Sequence, residues 1–551
     1  MTAAAPAALS VLPLGGLGEV GMNCLALVWE SQALLIDCGV NFPEDDLGID
    51  VIHPDFSWLE KSGVTLLGTF VTHGHEDHIG GLPFLLSKFP TPVWGPPHAL
   101  RLAEHRLKER GIRSAVLHRV QCGESYSIGP FQVEPVRVSH SIAQATALRI
   151  QTPVGVVVHS GDFKFDPAPS DGEPTDETRL SAIGDEGVAL LLSDSTNIDR
   201  MGSSGSEAAV AQALEPLIAN APERVVVSLF SSNVQRLISL GKIAEKVGRK
   251  ICPLGRSLQL HTEVALELGL LSWPPGLLVA PEQAEQVPRD KLMVLASGTQ
   301  AEPGSALQRL ASGDHQHLKL QENDTVILSS RIIPGNDRKV VRMMGGLLRL
   351  GVHVHSTFSD PGIHTSGHGA RDEQRRMLEL VRPKSFVPVH GTLHHLTRHA
   401  ELGRSVGVSD VQVIENGQVI RLGAEGLSLG PKVATGRVSA AFGGTILPPE
   451  ILSERSEMAR QGSAVFSVAL RAKGKVAGPA QLSLRGIPGF EQVGSASTFA
   501  NRIADGLDQE IARWRKQRLD VHDELVRLVR RHIERRSGVR PLVEVHVIEV
   551  D

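Results

Sequence analysis

The chain is poor in cysteine, and its cysteines lack any spacing that would make them a framework. The four, Cys24, Cys38, Cys122 and Cys252, lie far apart with no C-x-x-C pair. That argues against a disulfide scaffold or a zinc knuckle and reads as buried thiols in a reducing compartment. No run approaches the ~20 apolar residues of a membrane span. The small apolar start, Thr2 to Leu9, has no basic segment of the kind a secretory signal carries. These absences predict a cytoplasmic protein with no membrane partner. A surplus of positive charge is also missing: 56 Lys and Arg face 61 Asp and Glu, a net charge of −5. Any nucleic acid must therefore be met in a local groove and not by a global field. What remains is length and apolar content. The 551 residues exceed a single core, and 41% hydrophobic residues suit roughly two to four buried domains.

One further absence concerns context. Gly16-Leu17-Gly18-Glu19-Val20-Gly21 fits the G-x-G-x-x-G spacing of a dinucleotide site, which needs a helix directly after it. The residues that follow, Asn23 to Trp29, read as a strand. A glycine turn between strands is the better reading.

The richest stretch is Thr72-His73-Gly74-His75-Glu76-Asp77-His78, directly after the apolar run Leu66 to Val71. A strand feeding a tight polar loop would aim three imidazoles and a carboxylate into one space, a donor set suited to zinc or a similar divalent ion. His73 and His75 on one side, and Asp77 and His78 on the other, partition between two metals. Paired metals in hydrolases activate water and stabilise charge on the attacked group. Each position needs further ligands, and other apolar strands end in candidates. Phe131 to Val138 leads to His140, Val154 to His159 leads to Asp162, and Ser385 to Val389 leads to His390. A carboxylate can bridge two ions, so Asp162 is the natural bridge, with His140 completing the first position and His390 the second. Histidines with no such placement, His98 and His399 among them, read as ordinary polar residues.

From residue 207 helix and strand alternate, as in a parallel α/β unit. Its strand ends carry Ser231-Ser232-Asn233 and Ser297 to Gln300. Further on, the small, donor-rich Gly362 to Gly369 precedes an amphipathic helix from Ala370 to Val381. A helix start of this kind favours anions, so His364, Thr365, Ser366 and Gly367 could hold a phosphate. Residues 431–460 read as a linker. Residues 461–551 read as a small α/β domain, and 511–540 hold ten Lys and Arg against four Asp and Glu. A solvated helix face accounts for that excess.

His73-x-His75-x-Asp77-His78, His140, Asp162 and His390 together resemble the metallo-β-lactamase superfamily. Asp194 in Ser-Asp-Ser-Thr-Asn, His368 in Thr-Ser-Gly-His-Gly and His390 in Pro-Val-His-Gly resemble the three motifs of its β-CASP nuclease branch. Essentially the whole chain is similar to the ribonuclease J family. The resemblance implies an αββα metallo-β-lactamase sandwich (1–206 and 354–430), an inserted α/β β-CASP domain (207–353), the linker, and a C-terminal domain (461–551). It implies a metal-dependent ribonuclease of RNA processing and decay, a 5′-to-3′ exonuclease that prefers 5′-monophosphate RNA and also cuts internally. In this reading His368 is the general acid, and Asp194 orients it and keeps it protonated. Ser232 and Asn233 join His364 to His368 around the terminal phosphate of single-stranded RNA. Zinc is the ion favoured by the His-rich set, with manganese or magnesium as alternatives. A structural calcium is implied near Leu47-Gly48-Ile49-Asp50, with Asp50 as its side-chain ligand. Partners are a second copy, as a homodimer or tetramer through the C-terminal domain, and other RNA-decay proteins. The alternative is a small-molecule hydrolase of the same superfamily; the insertion and the second His-rich motif argue against it.

Overall fold

The structure is a computed structural model that describes residues 8–551, apart from Asp45, Asp46, Pro334, Ala472, Lys473 and Val493. Most of the small apolar start, Thr2 to Ala7, therefore lies outside the described residues. Among those described, no helix is long and apolar enough to cross a membrane. The chain forms two compact units, residues 1–42 with 51–438, and residues 43–50 with 439–551.

In the first unit, an eight-stranded and a seven-stranded sheet stack face to face. Leu34, Ile36 and Phe70 of one meet Val133, Leu148, Val157, Leu190 and Val387 of the other in a shared apolar layer. Helices close both outer faces. Leu82–Lys88 and Pro97–Glu109 cover the first sheet through Leu82, Leu85 and Leu100. Glu177–Glu186, Arg371–Val381 and Leu393–Ser405 cover the second through Leu180, Met377 and Ala400. This is the expected αββα sandwich. Strands buried on both sides read as near-continuous apolar runs, which is why Val188–Asp194 and Ser385–Val389 are legible as strands, and the two pair in parallel. The residues after Thr146–Thr152 turn back into Gly155–His159 as an antiparallel hairpin, also as expected.

The inserted α/β unit is a five-stranded parallel sheet with apolar layers on both faces. Val225–Ser228 lies at its centre, and its C-terminal end carries Ser232 and Asn233. Two of its strands were not read as part of it from sequence, Lys250–Leu254 and His353–His355. The second pairs with Thr325–Leu328, so the expected boundary at 353/354 falls inside a strand of the inserted sheet. The stretch expected as a linker also carries structure: strands Arg437–Ala440 and Ile446–Leu447 and helix Pro449–Gln461.

In the second unit, strand Ser463–Arg471 pairs in parallel with Leu542–Glu549 and antiparallel with Gln481–Arg485. Helices Ser495–Ala504, Leu507–Lys516 and Val521–Ser537 pack on it through Phe499, Trp514 and Ile533. Much of the basic excess of 511–540 is on exposed helix positions, including Arg515, Lys516, Arg531 and Arg535. Asp50 donates its backbone N–H to Ala440 O at 2.8 Å. It joins none of the clusters of three or more His, Cys, Asp or Glu donors found among the described residues.

Candidate metal centre

The His-rich stretch is not a plain loop. His75 is extended (φ −72°, ψ 150°), and helix Glu76–Ile79 starts directly after it. The chain therefore turns between His75 and Asp77, which puts His73 and His75 on one side and Asp77 and His78 on the other. Gly39 makes room for this turn, because a side chain there would overlap the Asp77 carbonyl. Backbone bonds from Asn23 N to Asp77 O and from Cys38 N to His78 O clamp it from below.

The predicted donors converge in two groups that share Asp162. In the first, His75 Nδ1 lies 3.1 Å from both His73 Nε2 and His140 Nε2. Asp162 Oδ2 stands 3.6 Å from the former and 3.8 Å from the latter. In the second, His78 Nε2 is 3.2 Å from Asp162 Oδ2 and 3.7 Å from Asp77 Oδ2, and His390 Nε2 is 3.4 Å from Asp77 Oδ2. Ligands on one tetrahedral zinc, bonded at ~2.0–2.1 Å, stand about 3.3 Å apart. The donors have that spacing.

Three further observations fit divalent cations. His390 Nε2 is buried with no hydrogen-bond partner. The remaining nitrogen of each histidine is engaged, which leaves the converging one for a metal. His73 Nδ1 meets Thr72 Oγ1 at 3.0 Å, His75 Nε2 meets Ser232 Oγ at 3.0 Å, His78 Nδ1 meets Asp37 Oδ2 at 2.8 Å, and His140 Nδ1 meets Gly367 O at 2.6 Å. His390 Nδ1 faces Asp162 Oδ1 at 3.0 Å. The third observation is electrostatic. Burial holds His73 and His140 well below the ordinary histidine pKa and His75 at about 4, so these three are neutral, as ligands must be. Burial also opposes charge on His78 and His390, yet the carboxylates, Asp162 foremost, pull both well above the ordinary value. The second position therefore attracts positive charge.

Two site residues, Asp37 and His390, sit at positive φ, 60° and 52°. Such conformations are costly for residues with a side chain and cluster where function demands them. Asp37 was not singled out in the sequence. It accepts from Thr72 N at 2.7 Å, Thr72 Oγ1 at 2.9 Å and His78 Nδ1, and so fixes both ends of the metal turn. Asp37→Asn is expected to weaken metal retention roughly 10–100-fold, the usual scale for such supporting groups. Metal counting after dialysis against graded chelator would show it. Retention equal to wild type would mean that the carboxylate only packs.

His368 and Asp194 lie beside the second group. His368 Nδ1 is 2.8 Å from Asp194 Oδ2. Burial would lower the His368 pKa, but Asp194, then Asp162, outweigh it and hold it above the ordinary value. Asp194 is in turn held by Thr196 N and Oγ1, both on its Oδ1 at 2.9 and 2.7 Å. The Gly362–Gly369 turn packs directly on the metal donors. At Gly367 a side chain would strike the His140 ring and Ser141 Oγ. Asn197 Nδ2 donates to Ser366 Oγ and His368 O at 2.8 and 2.9 Å, another residue the sequence did not single out. The Thr365 hydroxyl is spent on Ser204 O, whereas His364 Nδ1 is buried without a partner. Burial, then Arg236 nearby, hold His364 at about 3, so it is neutral. Of the strand-end pair in the insertion, Ser232 bonds His75, and the Asn233 side chain caps helix Val234–Val247 by accepting from Arg236 N. His98 and His399, read as ordinary polar residues, are fully buried; His399 Nδ1 bonds Ser195 Oγ, next to Asp194, at 3.0 Å.

Comparison with known proteins gives three family matches along the chain. Residues 17–176 match the metallo-beta-lactamase superfamily, 222–347 match "Ribonuclease J, beta-CASP domain", and 362–413 match "Zn-dependent metallo-hydrolase RNA specificity domain". The chain is similar to the ribonuclease J of Sinorhizobium meliloti, 36% identical over 98% of this chain and 97% of that one. It is also similar to that of Mycolicibacterium smegmatis, 37% identical over 88% and 87%. A crystal structure from Enterococcus faecalis V583, of a protein of unknown function, shares the fold with a TM-score of 0.53, 17% identity, and coverage of 76% of this chain and all of that one.

Proposed function

The chain belongs to the ribonuclease J family, and from that premise we propose that it removes nucleotides one at a time from the 5′ end of 5′-monophosphate RNA, and also cuts RNA internally. Membership makes it a metal-dependent ribonuclease, a hydrolase that binds RNA and divalent metal. One observation carries the finer reading. Both candidate halves of a 5′-end pocket bond directly to histidines of the metal centre, Ser232 to His75 and Gly367 to His140. A terminal phosphate held between those halves would lie a fixed, short reach from the reacting position, and a fixed reach supports mononucleotide steps.

His73, His75, His140 and Asp162 would hold one ion, and Asp77, His78, Asp162 and His390 a second. When bound, such ions lower the pKa of water and neutralise charge on the phosphoryl oxygens. Three imidazoles favour zinc in the first position; two carboxylates in the second also suit manganese or magnesium. His368 commits Nδ1 to Asp194, so the proton it can give is on Nε2. That proton goes to the leaving oxygen, the role for which an imidazole with a raised pKa is suited. The one N–H of neutral His364 faces the Ser329 backbone carbonyl, whereas the Ser366 hydroxyl, which only accepts from its neighbours, can donate to a phosphate oxygen.

The test uses one RNA sequence with a 5′-monophosphate, 5′-triphosphate or 5′-hydroxyl end, its circular form, and matched DNA. Mononucleotides are expected chiefly from the 5′-monophosphate substrate, the circle should be cut, and DNA should stay intact. Equal rates on all three ends would sink the 5′-end reading. Uncut circles would sink the internal activity alone.

A further inference from the structure

One buried charge network stands behind the pocket. Arg236 is fully buried on helix Val234–Val247, and its guanidinium engages three separate segments. Nε and NH2 form a fork on Glu207, at 2.8 and 2.9 Å from its two carboxylate oxygens. NH1 donates to Ser329 Oγ at 2.6 Å, to Ser329 O at 3.1 Å, and to Ile363 O at 3.5 Å. Ser329 Oγ donates its own hydrogen bond to Ile363 O at 2.6 Å. Ile363 immediately precedes His364. The backbone N of Arg236 takes the Asn233 side chain, so the same residue also fixes the turn that holds Ser232.

The network continues towards the metal donors. Glu207 N donates to Asp166 Oδ2 at 2.9 Å, and Lys164 Nζ meets that same oxygen at 2.8 Å. Lys164 N donates to Ser139 O, one residue before His140, and Lys164 itself lies two residues after Asp162. A buried ion pair contributes little net stability. What a planar guanidinium fork does supply is fixed relative placement of the groups it binds.

We propose that Arg236 is a positioning residue for the 5′ end of the substrate: with Glu207 and Ser329 it holds the Ser232–Asn233 turn and the His364 turn at one separation, and so sets how many nucleotides lie between the terminal phosphate and the cut. This rests on the 5′-monophosphate reading given above. Arg236 touches neither substrate nor metal; it acts through the two turns.

Three variants test it. Removing Arg236 alone would leave Glu207 charged and unpaired, so the first is the double variant E207Q/R236M, which removes both charges together. The second is R236K, which keeps the charge but not the fork. The third is S329A, the mildest. Kinetics are measured on 5′-monophosphate and 5′-hydroxyl RNA, with product lengths resolved and metal counted. The ratio of kcat/KM for the two ends is expected to fall about tenfold through KM, as for loss of a hydrogen bond to a charged group. Dinucleotides and trinucleotides should appear beside mononucleotides, and metal content should stay at the wild-type value. A residue that only stabilised the fold would be rescued by lysine and would not alter product length. A wild type indifferent to its 5′ end would sink the pocket reading and this role with it. A wild type that prefers the 5′-monophosphate, alongside variants that keep that preference and release only mononucleotides, would overturn the role of Arg236 alone.

Discussion

Asp162→Asn is expected to lower RNA hydrolysis by at least about 10³-fold, the upper scale for losing one principal charge-stabilising group, and to leave fewer than two metal ions bound per chain. Asparagine keeps the shape, so the backbone that ends Gly155–His159 has no reason to move. What changes is charge and donor type. Asp162 Oδ2 faces His73, His78 and His140, while Oδ1 faces His390. An amide can offer one oxygen to one side and must turn N–H bonds to the other. Burial would raise the Asp162 carboxyl, but His390, His78 and His368 hold it well below the usual range, which favours the carboxylate. Among the described residues, no other carboxylate belongs to both candidate groups. Metal counting on dialysed protein, with a thermal melt to confirm folding, reads the outcome directly. Two ions retained by a folded Asp162→Asn protein would show that the two positions are independent.

His368→Ala should lower kcat by roughly 10²–10⁴-fold, the range for a positioned general acid, with both ions retained. Four donors, Asp162, Asp194, His368 and His390, also lie close enough together to hold a cation, so the metal count is the deciding readout. A His368→Ala protein that loses one ion would make His368 a ligand instead. The pH dependence gives an independent test. An acid must carry its proton, so activity should fall as pH rises through the His368 pKa. Burial lowers that pKa and Asp194 is the largest influence raising it. Asp194→Asn should therefore shift the alkaline limb of kcat to lower pH. A limb that stays in place would remove Asp194 from this role.

Much of this centre was legible because each predicted ligand follows an apolar strand. Strand Thr65–Phe70 delivers the His73 turn, Phe131–Arg137 delivers His140, Gly155–His159 delivers Asp162, and Ser385–Val389 delivers His390. Asp37 follows Gln32–Ile36 in the same way, so the signal for it was present. Yet it joins no His-rich motif, and its positive φ leaves no mark in composition. Asn197 was less accessible still, since its role depends on Ser366 arriving from a distant segment. Helix Pro449–Gln461 hid for a different reason. It buries none of its residues, so it carries no apolar periodicity, and Pro448 before it and Pro449 at its first position read as a linker. Residues 352–357 read as a strand from sequence, but no local pattern says which sheet it joins; only the pairing of His353–His355 with Thr325–Leu328 places it in the insertion.

The distance in sequence between the metal donors has a consequence for synthesis. Asp162 waits for His390, which leaves the ribosome more than two hundred residues later, after the whole insertion with Ser232 has been made. At about 5–20 residues per second, the second position lacks a donor for many seconds. A chain that ends before His390 can present the His73–His78 turn but lacks a donor of the second group. The second group is thus complete only once His390, and with it the whole inserted unit, has been made.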